Sequence, residues 1–211
     1  MSDQPDAPIT FGSTDDSEEL ARAELYGLLA RLWLAPPDAE LMEQFRVAVT
    51  EAPQPGGLLE GPWQALVAAL RATDADAAAA EYDALFGGVG KPEVFLYGSY
   101  HLSGYLNDQP LATLRGDLQR LGLTRDATRA ETEDHVAYVF EVMRYLIAGD
   151  DAAVSNLEQQ RRFFRAHVQT WLEAMCDAVA AHPRAATWRA LAEFTRAFVQ
   201  VETQGFDLLE S

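Results

Sequence analysis

The strongest constraint on this chain is a period. From Leu20 onward apolar residues recur three and four positions apart in segment after segment, and no stretch of useful length alternates between apolar and polar. Leu20, Leu25, Leu28, Leu29 and Leu32 begin the series. A period near 3.6 residues puts one greasy stripe on each helix, and stripes must be buried against one another. The pattern therefore predicts an all-α domain of about eight or nine helices. At 211 residues the chain suits one domain with a substantial core.

Helix starts and stops are written between the stripes. Asp16 with Glu19 offers a capping box for the first helix, and "APP" ends it. Asp38 can cap a second helix through Leu41 and Phe45, which "EAPQPGG" closes. Pro62 falls in a first turn, where its missing N–H does no harm. Asp74 opens an Ala-rich helix ending in "EYDALF", and Asp108 with Pro110 starts another. Val136, Val139, Phe140, Met143 and Leu146 share a stripe. One long helix is predicted through Leu157, Phe164, Val168, Trp171, Met175 and Val179, and "AHPRA" separates it from a last one. Residues 1–16 read as a flexible acidic segment, 17–202 as the helical domain and 203–211 as a tail.

The stretch 87–107, "GGVGKPEVFLYGSYHLSGYLN", breaks the period. Long connections of this kind are uncommon inside helical domains and are often functional. A second candidate lies at the start of the Val136 stripe, where the helical period puts Glu131, Asp134 and His135 on one helix face. Two readings stay open. The three residues are an acidic helix start suited to the positive end of the dipole, or they are a polar recognition site.

Catalytic and metal motifs are absent. None of the four histidines has a Glu three residues before it, so the di-iron bundle pattern is missing. There is no His-Glu-x-x-His and no Gly-x-Ser-x-Gly. "GGVGKPE" lacks the Ser or Thr of a phosphate loop. The single cysteine, Cys176, rules out an intrachain disulfide or cysteine-rich zinc site. No catalytic residue, metal or cofactor is therefore assigned.

Charge narrows the partners. With 33 acidic against 16 basic residues the chain carries −17. It lacks the basic stripe that nucleic acid demands, and an anionic membrane surface would repel it. A basic partner would be attracted. "MSDQPDAPIT" is not a signal peptide, and no apolar run reaches the roughly 20 residues of a membrane span. The expected location is the cytoplasm.

Two short motifs, in order, carry a resemblance. Tyr82-Asp-Ala-Leu85-Phe86 is followed by Glu131-Thr-Glu-Asp134-His135. Between them stands Tyr97-Gly98-Ser99-Tyr100, and later Phe164, His167 and Trp171 fall in a Phe-x-x-His-x-x-x-Trp pattern. In this order and spacing the chain resembles the TorD/DmsD family of redox-enzyme maturation chaperones, over roughly residues 18–200. The wording of residues 96–111 is most similar to the branch that accompanies formate dehydrogenases. Glycine stands at 98 where the family commonly has an acid.

The resemblance implies a non-enzymatic, all-helical chaperone. It would bind the twin-arginine leader, the apo form of a molybdenum enzyme's catalytic subunit, or both, assisting cofactor insertion and delaying export. A client without an export leader is the alternative, and a metal- or nucleotide-dependent hydrolase using Asp134 and His135 a more distant one. The family contains monomers and domain-swapped dimers. The peptide-binding residues so implied are Glu131, Asp134, His135, Tyr82, Leu85, Phe86, Tyr97, Ser99 and Tyr100. Carboxylates would take the arginines through forked hydrogen bonds, and aromatics would line a groove for the apolar segment. His135 would orient a carboxylate or tune affinity with pH.

Overall fold

The computed structural model describes residues 14–47, 57–87, 91–126 and 128–208. Ten α-helices lie among them, with no strand: α1 (Thr14–Leu34), α2 (Ala39–Val47), α3 (Glu60–Ala72), α4 (Ala75–Phe86), α5 (Gly98–Ser103), α6 (Gln109–Arg120), α7 (Val136–Ala148), α8 (Leu157–His167), α9 (Leu172–Ala181) and α10 (Thr187–Leu208). The all-α class holds, and the helix count exceeds the expected eight or nine.

The excess has two sources. A short helix, α5, forms inside the 87–107 connection. The long helix expected through Val168 is broken, because Val168–Trp171 turns the chain between α8 and α9. There Trp171 donates its indole N–H to the His167 carbonyl at 2.7 Å, and its backbone leaves helical geometry at φ −141°. The apolar period runs on through this turn, which is why periodicity alone missed it.

Two of the four expected Asp caps form, while Asp108 takes the N-cap position of α6 without a side-chain bond to it. Asp38 accepts from the Leu41 N–H at 2.8 Å and Asp74 from the Ala77 N–H at 2.8 Å. Asp16 is different: α1 is already helical from Thr14, so residue 16 lies inside the helix. Helix α10 continues through Leu208, into the stretch read as a tail. The "EAPQPGG" break falls, but for its last glycine, outside the described residues.

Helix α1 is the central element, buried over a wide arc at Ala23, Tyr26, Leu29, Ala30, Leu32 and Trp33. It packs along α7, where the Tyr26 ring meets Phe140 edge-on at 5.6 Å. The two run antiparallel: Gln160 bonds Glu19 near the start of α1 and the Leu146 carbonyl near the end of α7. On its other side α1 is tied to α10. Trp33 Nε1 donates to Thr195 at 3.0 Å, and Arg22 grips the buried Glu202 through two N–H groups at 2.9 and 2.8 Å. Tyr26 donates a third hydrogen bond to Glu202 at 3.0 Å, so the buried carboxylate is fully engaged.

Candidate functional site

The two sequence signatures, remote along the chain, converge beside the C-terminal end of α1. Tyr82, on α4, donates its hydroxyl to the carbonyls of Trp33 and Leu34 at 3.2 and 2.9 Å. These are among the orphan acceptors every helix end leaves. Burial, then the charges of Glu131 and Asp83, push the Tyr82 phenol up to about 12. Leu85 is fully buried. Phe86, half-buried, meets Tyr82, Trp33 and Trp188 edge-on at 5.1, 6.0 and 6.2 Å. Next to the motif, Glu81 accepts from the backbone N–H groups of Ala186, Thr187 and Trp188 at the start of α10. Adjacent residues on one helix thus close the ends of two others. Sequence reasoning missed Glu81, because its acceptor role appears only once α10 is in place.

The second signature is not a helix face. Helix α7 begins at Val136, and His135 is its N-cap, with φ −63° and ψ 135°. Residues 131–134 precede it as turn and irregular backbone, so the common helical face expected for Glu131, Asp134 and His135 does not exist. Backbone pairing with the 96–98 segment replaces it. Gly98 N–H donates to the Asp134 carbonyl and Val136 N–H to the Leu96 carbonyl, each at 2.9 Å, and Tyr97 bridges His135.

Each of the three polar residues has a task within the chain. Asp134, 3% exposed, accepts from the Ser99 N–H at 2.8 Å and from the Thr132 hydroxyl at 2.6 Å. It thereby caps α5 from a distance. His135 accepts from the Ala137 N–H through Nδ1 at 3.2 Å and presents its ring edge-on to Tyr97 at 5.2 Å. Burial drives His135 down to about 4, overriding the opposing charges of Glu131 and Asp134. It is neutral near pH 7 and does not titrate there, and it bonds a backbone N–H instead of a carboxylate. Glu131 accepts a short hydrogen bond from the Tyr97 hydroxyl. Burial and that bond raise the Tyr97 phenol. Both residues are half-buried, so one edge of the pair reaches solvent.

Ser99 is buried too, its hydroxyl accepting from the Asn107 N–H at 3.3 Å. Tyr100 packs against Phe95 with the rings tilted, 4.1 Å between centroids, and stays half-exposed. Gly98 explains itself by contact: a Cβ there would lie 3.1 Å from the Trp171 indole. That ring also stacks on His101, 5.9 Å between centroids. The structure thus brings Tyr82, Tyr97, Glu131, Asp134, His135 and Ser99 into one knot. Phe86 and Tyr100 sit on its flanks with a side open.

Glu133, between the named acids, is held in a forked pair by Arg115 at 3.0 and 2.8 Å. Burial would raise its carboxyl, but the arginine wins and holds it below the usual range. Among the described residues no group of three or more His, Cys, Asp or Glu is placed to hold a metal ion. No described helix is long and apolar enough to cross a membrane.

A large groove lies next to this knot. It has a volume of about 1060 Å³ over the α1–α7 seam, and Leu123, Thr124, Arg125, Asp126 and Arg129 line one end. None of the nine residues singled out from the sequence lines it; Glu133 does.

A family model described as nitrate reductase delta subunit matches residues 56–177, more than half of the chain and both signatures. No curated protein matches the chain.

Proposed function

Because the chain belongs to the nitrate reductase delta subunit family, a TorD-type family of molybdoenzyme maturation chaperones, we propose that it holds a molybdenum enzyme's catalytic subunit in its apo form during cofactor insertion. It does so in the cytoplasm, and it covers the subunit's twin-arginine leader until folding is complete. The client is a molybdenum oxidoreductase: the family's description points to nitrate reductase, the wording of residues 96–111 to formate dehydrogenase.

The observation that carries the reading is the convergence of both signatures on one surface knot whose outer edge is aromatic and acidic. Glu131, Tyr97, Tyr100 and Phe86 are its half-exposed members and form the proposed lip. Tyr82, Leu85, Ser99, Asp134 and His135 hold that lip in shape from beneath. Glu131 would exchange its Tyr97 hydroxyl for an arginine of the leader, a stronger charge-assisted partner.

A second reading has its own support. Two carboxylates of the second signature are engaged within the chain, Asp134 with α5 and Glu133 with Arg115. That favours a chaperone that docks on the enzyme body of a client with no export leader. Asp134 and His135 are bonded to separate backbone N–H groups, not to each other, which gives the hydrolase reading no dyad.

Calorimetric titration separates the first two readings. A twin-arginine peptide should bind, and its double-alanine counterpart should bind at least tenfold more weakly. Equal affinity removes the leader role, and capture of a leaderless apo-subunit then supports the second reading.

A further inference from the structure

The α1–α7 groove has a chemistry unlike that of the lip. Its floor is small, Ala23 and Gly27 on α1 and Ala137 on α7, and the Arg144 side chain, paired with Glu141 at 3.0 Å, crosses it over Gly27. At the far end Leu20 is 56% exposed and Tyr145 39% exposed, a continuation of apolar surface that no described residue covers. Along α1 it runs from Leu20 to Leu34, roughly 21 Å at about 1.5 Å per residue. That is the length of a helix of about 14 residues.

The charges are what select an occupant. The groove is lined by four of the chain's 16 basic side chains and by only four of its 33 acidic ones. Two of the bases, Arg125 and Arg129, stand exposed at the end that Leu123 and Asp126 also line. Arg125 donates to the carbonyls of Arg129 and Ala130. Arg129 is 3.9 Å from Asp126, an exposed and distant pairing. Both guanidinium groups therefore keep donors to give. At the opposite end Glu24 is exposed and makes no hydrogen bond or ion pair among the described residues, whereas the Arg144 there is taken up by Glu141 at 3.0 Å.

We propose that this groove is a second docking surface, for an apolar helix of the client subunit whose C-terminal end is acidic and lies at Arg125 and Arg129. The inference rests on the chaperone role proposed above and adds a contact separate from the leader lip. A helix C-terminus carries partial negative charge and free carbonyls, which the two arginines satisfy. Its N-terminus carries partial positive charge, which Glu24 meets. The same arginines repel the basic end of a leader, so the two surfaces sort two different client segments. The α1 wall lies outside the span matched by the family.

The probes are three labelled synthetic peptides on one Leu/Ala segment of about 14 residues. One has two glutamates after the segment, one has them before it, and one has two arginines before it. Binding to the full chain is read by fluorescence anisotropy. The peptide with C-terminal glutamates should bind about tenfold more tightly than its reversed counterpart. Arg125→Glu with Arg129→Glu should erase that preference, and Tyr145→Glu should weaken both. All three sites are exposed, and circular dichroism checks the fold. Equal affinity for the two orders, or an unchanged preference in the double variant, overturns the groove. Competition of the arginine peptide for the groove also overturns it, while leaving leader binding intact. If the arginine peptide binds nowhere and the other two behave as expected, the groove stands and the leader role falls.

Discussion

Asp134 accepts a hydrogen bond from the Ser99 N–H at 2.8 Å, closing the start of a six-residue helix from 35 positions further along the chain. So short a helix has little stability of its own. Its entry is held by this one carboxylate, by the Asp134 carbonyl on Gly98 N–H and by the Ser99–Asn107 bond. Asp134→Ala leaves a buried N–H unpaired, and should cost about 2 kcal/mol of stability. A residue serving only as binding lip would cost about 1 kcal/mol or less. Urea unfolding measures the difference, and Asp134→Asn, which keeps an acceptor, should recover part of it. A loss under about 0.5 kcal/mol in the alanine variant would refute the capping role.

The first signature makes a parallel prediction. Tyr82→Phe keeps the ring that packs on Phe86 and Trp188 but removes the donor to the Trp33 and Leu34 carbonyls. The expected loss is about 1 kcal/mol. Glu81→Ala, which strips three N–H groups of α10 of their acceptor, should cost as much or more. Chemical denaturation of both variants tests this, and if Tyr82→Phe is silent the ring alone carries the position.

Gly98 tests the packing beneath the lip. Its missing side chain lets the Trp171 indole approach so closely that an added Cβ would sit at 3.1 Å. Gly98→Ala should cost about 1 kcal/mol, and Gly98→Glu, which restores the family's usual acid, up to about 3 kcal/mol. Coupling to Trp171→Phe is the decisive readout. If the contact is the cause, the two substitutions together should cost less than their sum in a double-mutant cycle. Additive losses would place the effect elsewhere.

Two local signals in the sequence held, whereas the long-range ones were silent. The caps Asp38 and Asp74 sit within four residues of the N–H groups they satisfy, so a short window contains the whole interaction. Asp134 caps a helix 35 residues away, and no window around it shows the need. A helical projection then assigned Glu131, Asp134 and His135 to one face, though the backbone there is turning to pair with Tyr97. Likewise the apolar spacing of Phe164, Val168, Trp171 and Met175 continues across a break held by an indole on a carbonyl. The aromatic and acidic members of the knot were legible as a set. Which of them face solvent, and the groove beside them, depend on α1 and α7 packing together.

The last prediction concerns pH. Burial and the Ala137 N–H, which needs Nδ1 as an acceptor, both oppose protonation of His135, whose value falls to about 4. The unfolded chain takes up that proton near 6.5. Folded stability is therefore unpenalised above pH 6.5 and is lost as pH falls from there toward 4, because the unfolded state binds the proton first. The full loss from this group is on the order of 3 kcal/mol. Urea midpoints across pH 4–7 should fall in that window, and His135→Asn, which retains a capping side chain, should flatten the slope. NMR titration should find the His135 ring neutral from pH 5 to 8. A midpoint near 6.5 would mean that the ring is solvated, and would restore His135 as a group able to tune client affinity near neutrality.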